Sequence, residues 1–261
     1  MGNPCIGRIA AVLAIFVPGC GVSAAQSVDI DAARGDLAAA SRILAAENVL
    51  DAFGHVSMRD PRNSSRYLMP RSIAPALTTA DDIITFDFDS NAVDGEGKAL
   101  FLERFIHGEI YRRRPDVKAI VHSHSPAVIP FGLVKTPLQA MFRNAAFLAY
   151  GVPVFDIHDR FGDTDMLVRN REIGSALADT LGDKAVALMS GHGNVVTAPT
   201  LPLVVFRAVY TELNARIQSQ AMALGGPVRT LTQAEGEKAE VVNAQIVLRA
   251  WELWKKNVEK K

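Results

Sequence analysis

The feature that most constrains this chain is the way short strand-like runs crowd together between helical stretches. "HVSMRD" and "RYLMP" are separated only by the turn-rich "PRNSS", and "DIITFDFDS" alternates apolar and polar positions before the hairpin-type loop "NAVDGEGK". Further on, "VKAIVHSH" and "VPVFDI" read as buried strands, and "AVALMSG" followed by "NVVTAP" as two more. Helical periodicity fills the intervals. It runs from Asp29 to Val49, with Leu37, Ala40, Ile43 and Leu44 on one stripe, and from Phe101 to Arg114, where Pro115 stops it. It returns in "NREIGSALADTLG", closed by Gly182, in Leu201 to Leu224, and in Thr232 to Val258, where Thr232 and Glu235 fit a capping box. Strands interleaved with helices, yet often joined by loops of hairpin length, predict an α/β sandwich layered by helices rather than a doubly wound dinucleotide-binding sheet. No GxGxxG fingerprint and no internal repeat is present.

At 261 residues and 49% hydrophobic, the chain can bury one substantial core. Its 28 basic and 28 acidic residues balance, with no long run of one sign. That leaves no electrostatic footprint for nucleic acid or an anionic membrane, and a small-molecule partner is expected. Residues 1–25, "MGNPCIGRIAAVLAIFVPGCGVSAA", differ from the rest: one charge at Arg8, an apolar run from Ile9 to Val17, then small residues. This is the layout of a secretory signal peptide cleaved after Ala24 or Ala25, which predicts a mature domain over residues 26–261, periplasmic or secreted. The apolar run is too short to span a membrane. Both cysteines, Cys5 and Cys20, lie in this leader, so the cleaved protein would have neither a disulfide nor a thiol nucleophile. A lipoprotein is the alternative, with "VPGC" as a loose processing box and Cys20 as the lipidated residue.

Two of the six histidines, His122 and His124, stand one residue apart at the exit of an apolar strand. Side chains alternate along a strand, so both imidazoles point the same way, a metal-chelating geometry that needs a third ligand. His192 is the best candidate, because Gly191 and Gly193 let the chain bend and leave its ring accessible. Three neutral imidazoles with an open position describe a catalytic rather than a closed structural site. A surface histidine pair and a turn histidine capped by backbone are the plainer readings of the same residues. Glu103 sits at the start of the Phe101–Arg114 helix, four residues before His107 on one helical face, and a carboxylate beside a metal-bound substrate is a natural acid or base. Dipole pairing at the helix start is the plainer reading of Glu103. His107 either faces the site or packs in the helix layer, and His158 reads as a loop residue. Phe101, Leu102, Phe142 and Phe147 could wall an aromatic pocket or belong to the core.

Taken in order, "LERFIHGEIYRRRPDVKAIVHSHSP" and the later "SGHG" resemble the class II aldolase/adducin family, in which a Glu lies one helix ahead of a His-x-His pair and a later His completes the metal site. The likeness runs from about Leu37 to Leu224 and includes "GHVSMRD", similar to the family's Gly-Asn-x-Ser loop. It implies a three-layer α/β/α fold with a largely antiparallel central sheet. It also implies a divalent metal, Zn or Mn, on His122, His124 and His192, Glu103 as acid/base, and a homotetramer with sites near subunit boundaries.

Departures from the family's sugar-phosphate aldolases point to a different substrate. His55 replaces the loop Asn, the second phosphate loop reads Met69-Pro70-Arg71-Ser72, and the serine pair before the Glu becomes Phe101 and Leu102. Apolar side chains cannot hydrogen-bond a phosphate. Arg71 instead offers a bidentate fork for a carboxylate, with His55 and Ser72 as further polar contacts. The chain thus resembles the branch containing metal-dependent decarboxylases of hydroxylated aromatic or pyridine carboxylic acids. The expected activity is a metal-dependent carbon–carbon lyase, decarboxylase or aldolase, acting on a small hydroxy, keto or hydroxyaromatic acid through a metal-stabilised enolate. A non-catalytic adducin-like scaffold and a dehydratase or epimerase using the same site are the alternatives.

Overall fold

The computed structural model describes residues 1–2 and 29–259. Apart from Met1 and Gly2, the leader read over residues 1–25, with Cys5, Cys20, Ala24 and Ala25, lies outside the described residues. Seven strands form one sheet: β1 (His55–Arg59), β2 (Arg66–Pro70), β3 (Ile83–Asp87), β4 (Ala119–Ser123), β5 (Val154–Phe155), β6 (Val186–Met189) and β7 (Gly193–Ala198). Their order is β3-β2-β1-β4-β7-β6-β5, and every neighbouring pair is antiparallel except β5 with β6.

Strand alternation sorts the core into two layers. Val56, Leu68, Val121 and Val196 face one side, in one cluster with Leu37, Ile43 and Leu44 of α1 (Ile30–Ala46) and Val204 and Val205 of α5 (Leu201–Ala223), while α6 (Gln233–Glu259), with Trp251 in the same cluster, packs against α1 and α5. Tyr67, Met69, Ile120 and Val195 face the other side, against Ile106 and Ile110 of α2 (Arg104–Arg113) and Ile173 and Leu177 of α4 (Arg171–Leu181). The result is the three-layer α/β/α sandwich with a largely antiparallel sheet. Each sheet-covering face is a stripe of aliphatic residues at helical spacing, so burial rather than propensity holds these helices. Among the described residues, no helix is long and apolar enough to cross a membrane.

Side chains that satisfy the first free amides set several helix starts. The Asp29 carboxylate accepts from the amides of Asp31 and Ala32 at 2.9 and 3.2 Å, and Asn170 accepts from the Ile173 amide at 2.9 Å. The capping box expected at α6 is present: the Thr232 amide donates to Glu235 Oε2 at 2.9 Å and the Glu235 amide to Thr232 Oγ1 at 3.2 Å.

Two expectations are corrected. Helix α2 begins at Arg104 rather than Phe101, with Glu103 as its N-cap residue at φ −91° and ψ 18°. Glu103 makes no side-chain capping bond, because its carboxylate is turned toward the sheet. The run "VPVFDI" supplies only the two residues of β5. Asp156 leaves the strand to cap a short helix, α3 (Ile157–Phe161), its carboxylate accepting from the His158 amide at 3.0 Å. Hydrophobic alternation carries no information about that competing side-chain bond.

Candidate active site

The candidate site lies where β4, the β6–β7 turn and the start of α2 meet. His122 is fully buried in β4, on the α2 side of the sheet with Ile120, and pairs in register with His55 of β1. His124 follows one residue past the strand end. His192 occupies the turn between β6 and β7, which Gly191 permits by adopting φ +64°. Glu103 enters from the N-terminus of α2 and is 7% exposed.

One ligand atom from each of Glu103, His122, His124 and His192 can be chosen so that all four lie within 4.8 Å of one another. His124 Nε2 is 3.2 Å from His122 Nε2 and 3.1 Å from His192 Nε2. Glu103 Oε2 lies 3.4 Å from His122 Nε2 and 3.5 Å from His192 Nε2. Nitrogens held by one cation at about 2.1 Å are separated by roughly 3.0–3.4 Å in octahedral or tetrahedral arrangements, so the three imidazoles have the spacing of a ligand set. Their orientation agrees. His122 Nδ1 donates to the Asn194 carbonyl at 3.2 Å and His192 Nδ1 to the Met166 carbonyl at 3.0 Å. A ring nitrogen facing a carbonyl must carry the proton, so the neutral rings turn their Nε2 lone pairs to the common centre.

The electrostatics follow from this crowding. Burial alone would raise the Glu103 carboxyl, but the charges and hydrogen bonds of His122 and His192 outweigh it and hold the group well below the usual carboxylate range. Glu103 is therefore ionised at neutral pH. Burial, then the charges of His122 and His192, push His124 down to about 4, leaving a neutral donor nitrogen. Burial also lowers His192, but the facing Glu103 outweighs it and leaves that imidazole raised. A cation would replace the proton on the same nitrogen. The second Glu103 oxygen is occupied: Oε1 accepts from the Val168 amide at 2.9 Å, which fixes the plane of the carboxylate and leaves Oε2 toward the imidazoles.

Behind the first ring lies a second polar set. His55 is 3% exposed, and its Nδ1 is 2.7 Å from His107 Nε2. His107 Nδ1 is 2.6 Å from Ser57 Oγ, which in turn is 2.8 Å from the Tyr111 hydroxyl. Burial and then the charge of His107 hold His55 well below the ordinary histidine value, while burial, His122 next, pushes His107 down to about 3. His107 thus packs in the helix layer, behind His55. In the sequence Ser57 stands only as the serine of "GHVSMRD", and nothing there joins it to His107 or Tyr111. His107 and Tyr111 are four residues apart on α2, a spacing that places them on one face but does not say what they meet.

A cleft of about 480 Å³ opens over the cluster, walled by Phe53, His55, Ser72, Phe101, Leu102 and His124 among others. Another cleft of the same volume, lined by Arg114, Asp116, Lys184 and Arg207, has no histidine in its wall. Of the residues read as substrate contacts, His55 and Ser72 line the first cleft. Arg71 does not: its Nε donates to Asp82 Oδ1 at 2.6 Å. Phe101 and Leu102 form apolar wall, whereas Phe142 and Phe147 pack into the core on the opposite face of the sheet. His158 is exposed and its Nε2 lies 3.5 Å from Asp163.

Gly54 delivers the chain to His55 at φ +81°, and a Cβ there would lie 2.6 Å from Leu50 Cδ2 and 2.9 Å from the His122 carbonyl. Gly54→Ala is expected to lower stability by about 1–2 kcal/mol from the left-handed backbone alone, and by more through the backbone overlap. Chemical denaturation measures this; an unchanged midpoint would mean that the β1–β4 junction tolerates a side chain.

Comparison with known proteins agrees with this architecture. Residues 35–219 match the Class II Aldolase and Adducin N-terminal domain. The decarboxylase tropJ of Talaromyces stipitatus is 34% identical over 240 residues, covering 83% of this chain and 90% of that protein. The 3,4-dihydroxyphthalate decarboxylase of Arthrobacter keyseri is 33% identical over 215 residues, covering 78% of this chain and 84% of that protein. Among solved structures, L-fuculose 1-phosphate aldolase from Glaciozyma antarctica has a TM-score of 0.73 at 22% identity, covering 91% of this chain and 94% of that one, which is a likeness of fold. By its sequence match over most of the described sandwich, the chain belongs to the class II aldolase and adducin family.

Proposed function

We propose that the protein is a metal-dependent decarboxylase of a small hydroxyaromatic carboxylic acid, within the broader class of carbon–carbon lyases that its relatives' names support. The observation that carries this reading is the convergence of three imidazoles and one ionised carboxylate beside a cleft with aromatic and aliphatic walls. His122, His124 and His192 would hold a divalent cation, Zn or Mn. When bound, the cation would act as a Lewis acid toward the substrate's carboxylate and neighbouring hydroxyl oxygen.

The chain's own residues account for the rest. Phe53, Phe101 and Leu102 offer flat apolar surface to a ring and no donor to a phosphate, which favours an aromatic acid over a sugar phosphate. Glu103, ionised and fixed by the Val168 amide, accepts the proton of the substrate hydroxyl. It passes that proton to the ring carbon that carries the carboxylate, giving a cyclohexadienone in which the bond to the carboxylate stands out of the ring plane. That bond then breaks, CO2 leaves, the electron pair returns to the ring as the aromatic phenolate, and one proton from solvent restores the hydroxyl. Ser72 and His55 supply polar contacts at the cleft wall; Arg71, paired with Asp82 through Nε, lies outside that wall.

The test is a panel of hydroxybenzoates and sugar phosphates offered to metal-loaded protein, with CO2 and aldehyde measured separately. CO2 from an aromatic acid is expected; aldehyde from a sugar phosphate alone would make the protein an aldolase. A catalytically silent, adducin-like scaffold is tested by metal binding. Chelator-treated protein given a divalent cation at a hundred times its Kd is expected to gain about 2.7 kcal/mol, raising Tm by roughly 5–10 °C. No bound metal and no shift in Tm would favour the scaffold.

Two further expectations belong to the same reading. We propose that residues 1–25 direct export and that the mature protein is a homotetramer. An N-terminus at residue 25 or 26 by mass spectrometry and a mass near four protomers by light scattering would agree. An intact Met1 in a cytosolic fraction would end the export proposal, and a monomer would end the other.

A further inference from the structure

The chain from His55 to Tyr111 has a direction. Among the described residues, the Tyr111 hydroxyl has one hydrogen-bond partner, Ser57 Oγ at 2.8 Å, and Tyr111 is 1% exposed. Its proton has nowhere else to go, and a buried hydroxyl without an acceptor is costly. Ser57 Oγ therefore accepts from Tyr111. The Ser57 proton is then left with a single acceptor, His107 Nδ1 at 2.6 Å. With its Nδ1 accepting, the His107 ring carries its proton on Nε2 and donates to His55 Nδ1 at 2.7 Å. His55 is thereby left with its own proton on Nε2. Reversing every bond would leave the Tyr111 proton unpaired.

We propose that Ser57 and His107 act as positioning residues that lock His55 in its Nε2–H form, with Tyr111 closing the far end of the chain, so that the cleft wall carries a neutral hydrogen-bond donor aimed at an anionic oxygen of the substrate. His55 lines the cleft, and among the described residues its Nε2 makes no hydrogen bond yet is not one of the buried polar atoms without a partner, so it is accessible there. The His55 ring also lies against those of Phe101 and His122, with centroids at 4.7 and 5.1 Å, which places the donor between the apolar wall and the imidazole cluster. A donor that cannot become an acceptor selects for a carboxylate or phenolate oxygen and against a hydroxyl that must itself donate. This deepens the decarboxylase reading and rests on it only for the identity of that oxygen.

The test is the imidazole nitrogen spectrum of full-length protein labelled with 15N-histidine and loaded with Zn, with signals assigned by their loss in His55→Asn and His107→Asn. Both rings are expected as single Nε2–H tautomers. Tyr111→Phe is expected to leave both unchanged, because the Ser57 proton still has only His107 as acceptor. Ser57→Ala removes the directing donor and is expected to populate the Nδ1–H form of His107. A His55 proton on Nδ1 in the unaltered protein would overturn the proposal, as would a Ser57→Ala spectrum identical to it. If Ser57→Ala fails to fold, the spectrum of the unaltered protein still decides. Loss of CO2 release from every acid tested, with His55 found as Nε2–H, would remove the decarboxylase reading and leave the locked donor standing.

Discussion

Glu103→Gln is expected to give a folded protein that still holds metal and turns over about 10²–10⁴-fold more slowly. The substitution keeps the shape of the side chain and an oxygen able to accept from the Val168 amide, so the anchoring bond at 2.9 Å survives. It removes the ionised oxygen 3.4 and 3.5 Å from the two imidazoles, and with it the only carboxylate in the cluster. A carboxamide can neither take nor return a proton at neutral pH. The loss should appear in kcat, while metal content by elemental analysis stays near one ion per chain. Full activity in this variant would remove Glu103 from the proton path. Loss of metal together with activity would instead make it chiefly a ligand.

His124→Ala should fail earlier, at metal binding. Two imidazoles are then left, and a fall in affinity exceeding the roughly 10–100-fold typical of removing an outer-shell partner is expected, because a direct ligand is deleted. His124 lies past the end of β4 and is partly exposed, so the sheet should survive the substitution. Metal titration by calorimetry and Tm with and without cation separate the outcomes: a native Tm in chelator with no gain on adding metal is expected. Unchanged affinity would mean that the cation, if one binds, sits elsewhere.

Much of this architecture was legible in the sequence, and the reasons are specific. The strand carrying His122 shows itself through "KAIV", and a His-x-His pair at its exit has one physical consequence, two imidazoles on one side. His192 between two glycines was legible because Gly191 makes the turn at φ +64° and Gly193 lets β7 approach the Ser123 carbonyl. The pairing of Arg71 with Asp82 was not legible, because Asp82 lies on a 3₁₀ turn whose return path no local pattern specifies. The start of α2 was read three residues early, since Phe101 and Leu102 fit helical periodicity although they line the cleft. The contact between Ser57 and Tyr111 was invisible for a different reason. Their meeting depends on how α2 lies across β1, a tertiary register that periodicity on either element leaves open.

The atoms that steady this site belong largely to the main chain: the carbonyls of Asn194 and Met166 and the amide of Val168. Every amino acid except proline supplies the same amide, and all supply the same carbonyl. Substitution at Leu167, whose side chain lines the cleft between the two, can therefore reshape the wall while the supports persist, provided the backbone path is kept. In such a molecule, altering what is recognised need not disturb the chemistry, and a comparison of side-chain identities alone would overlook what keeps the two apart.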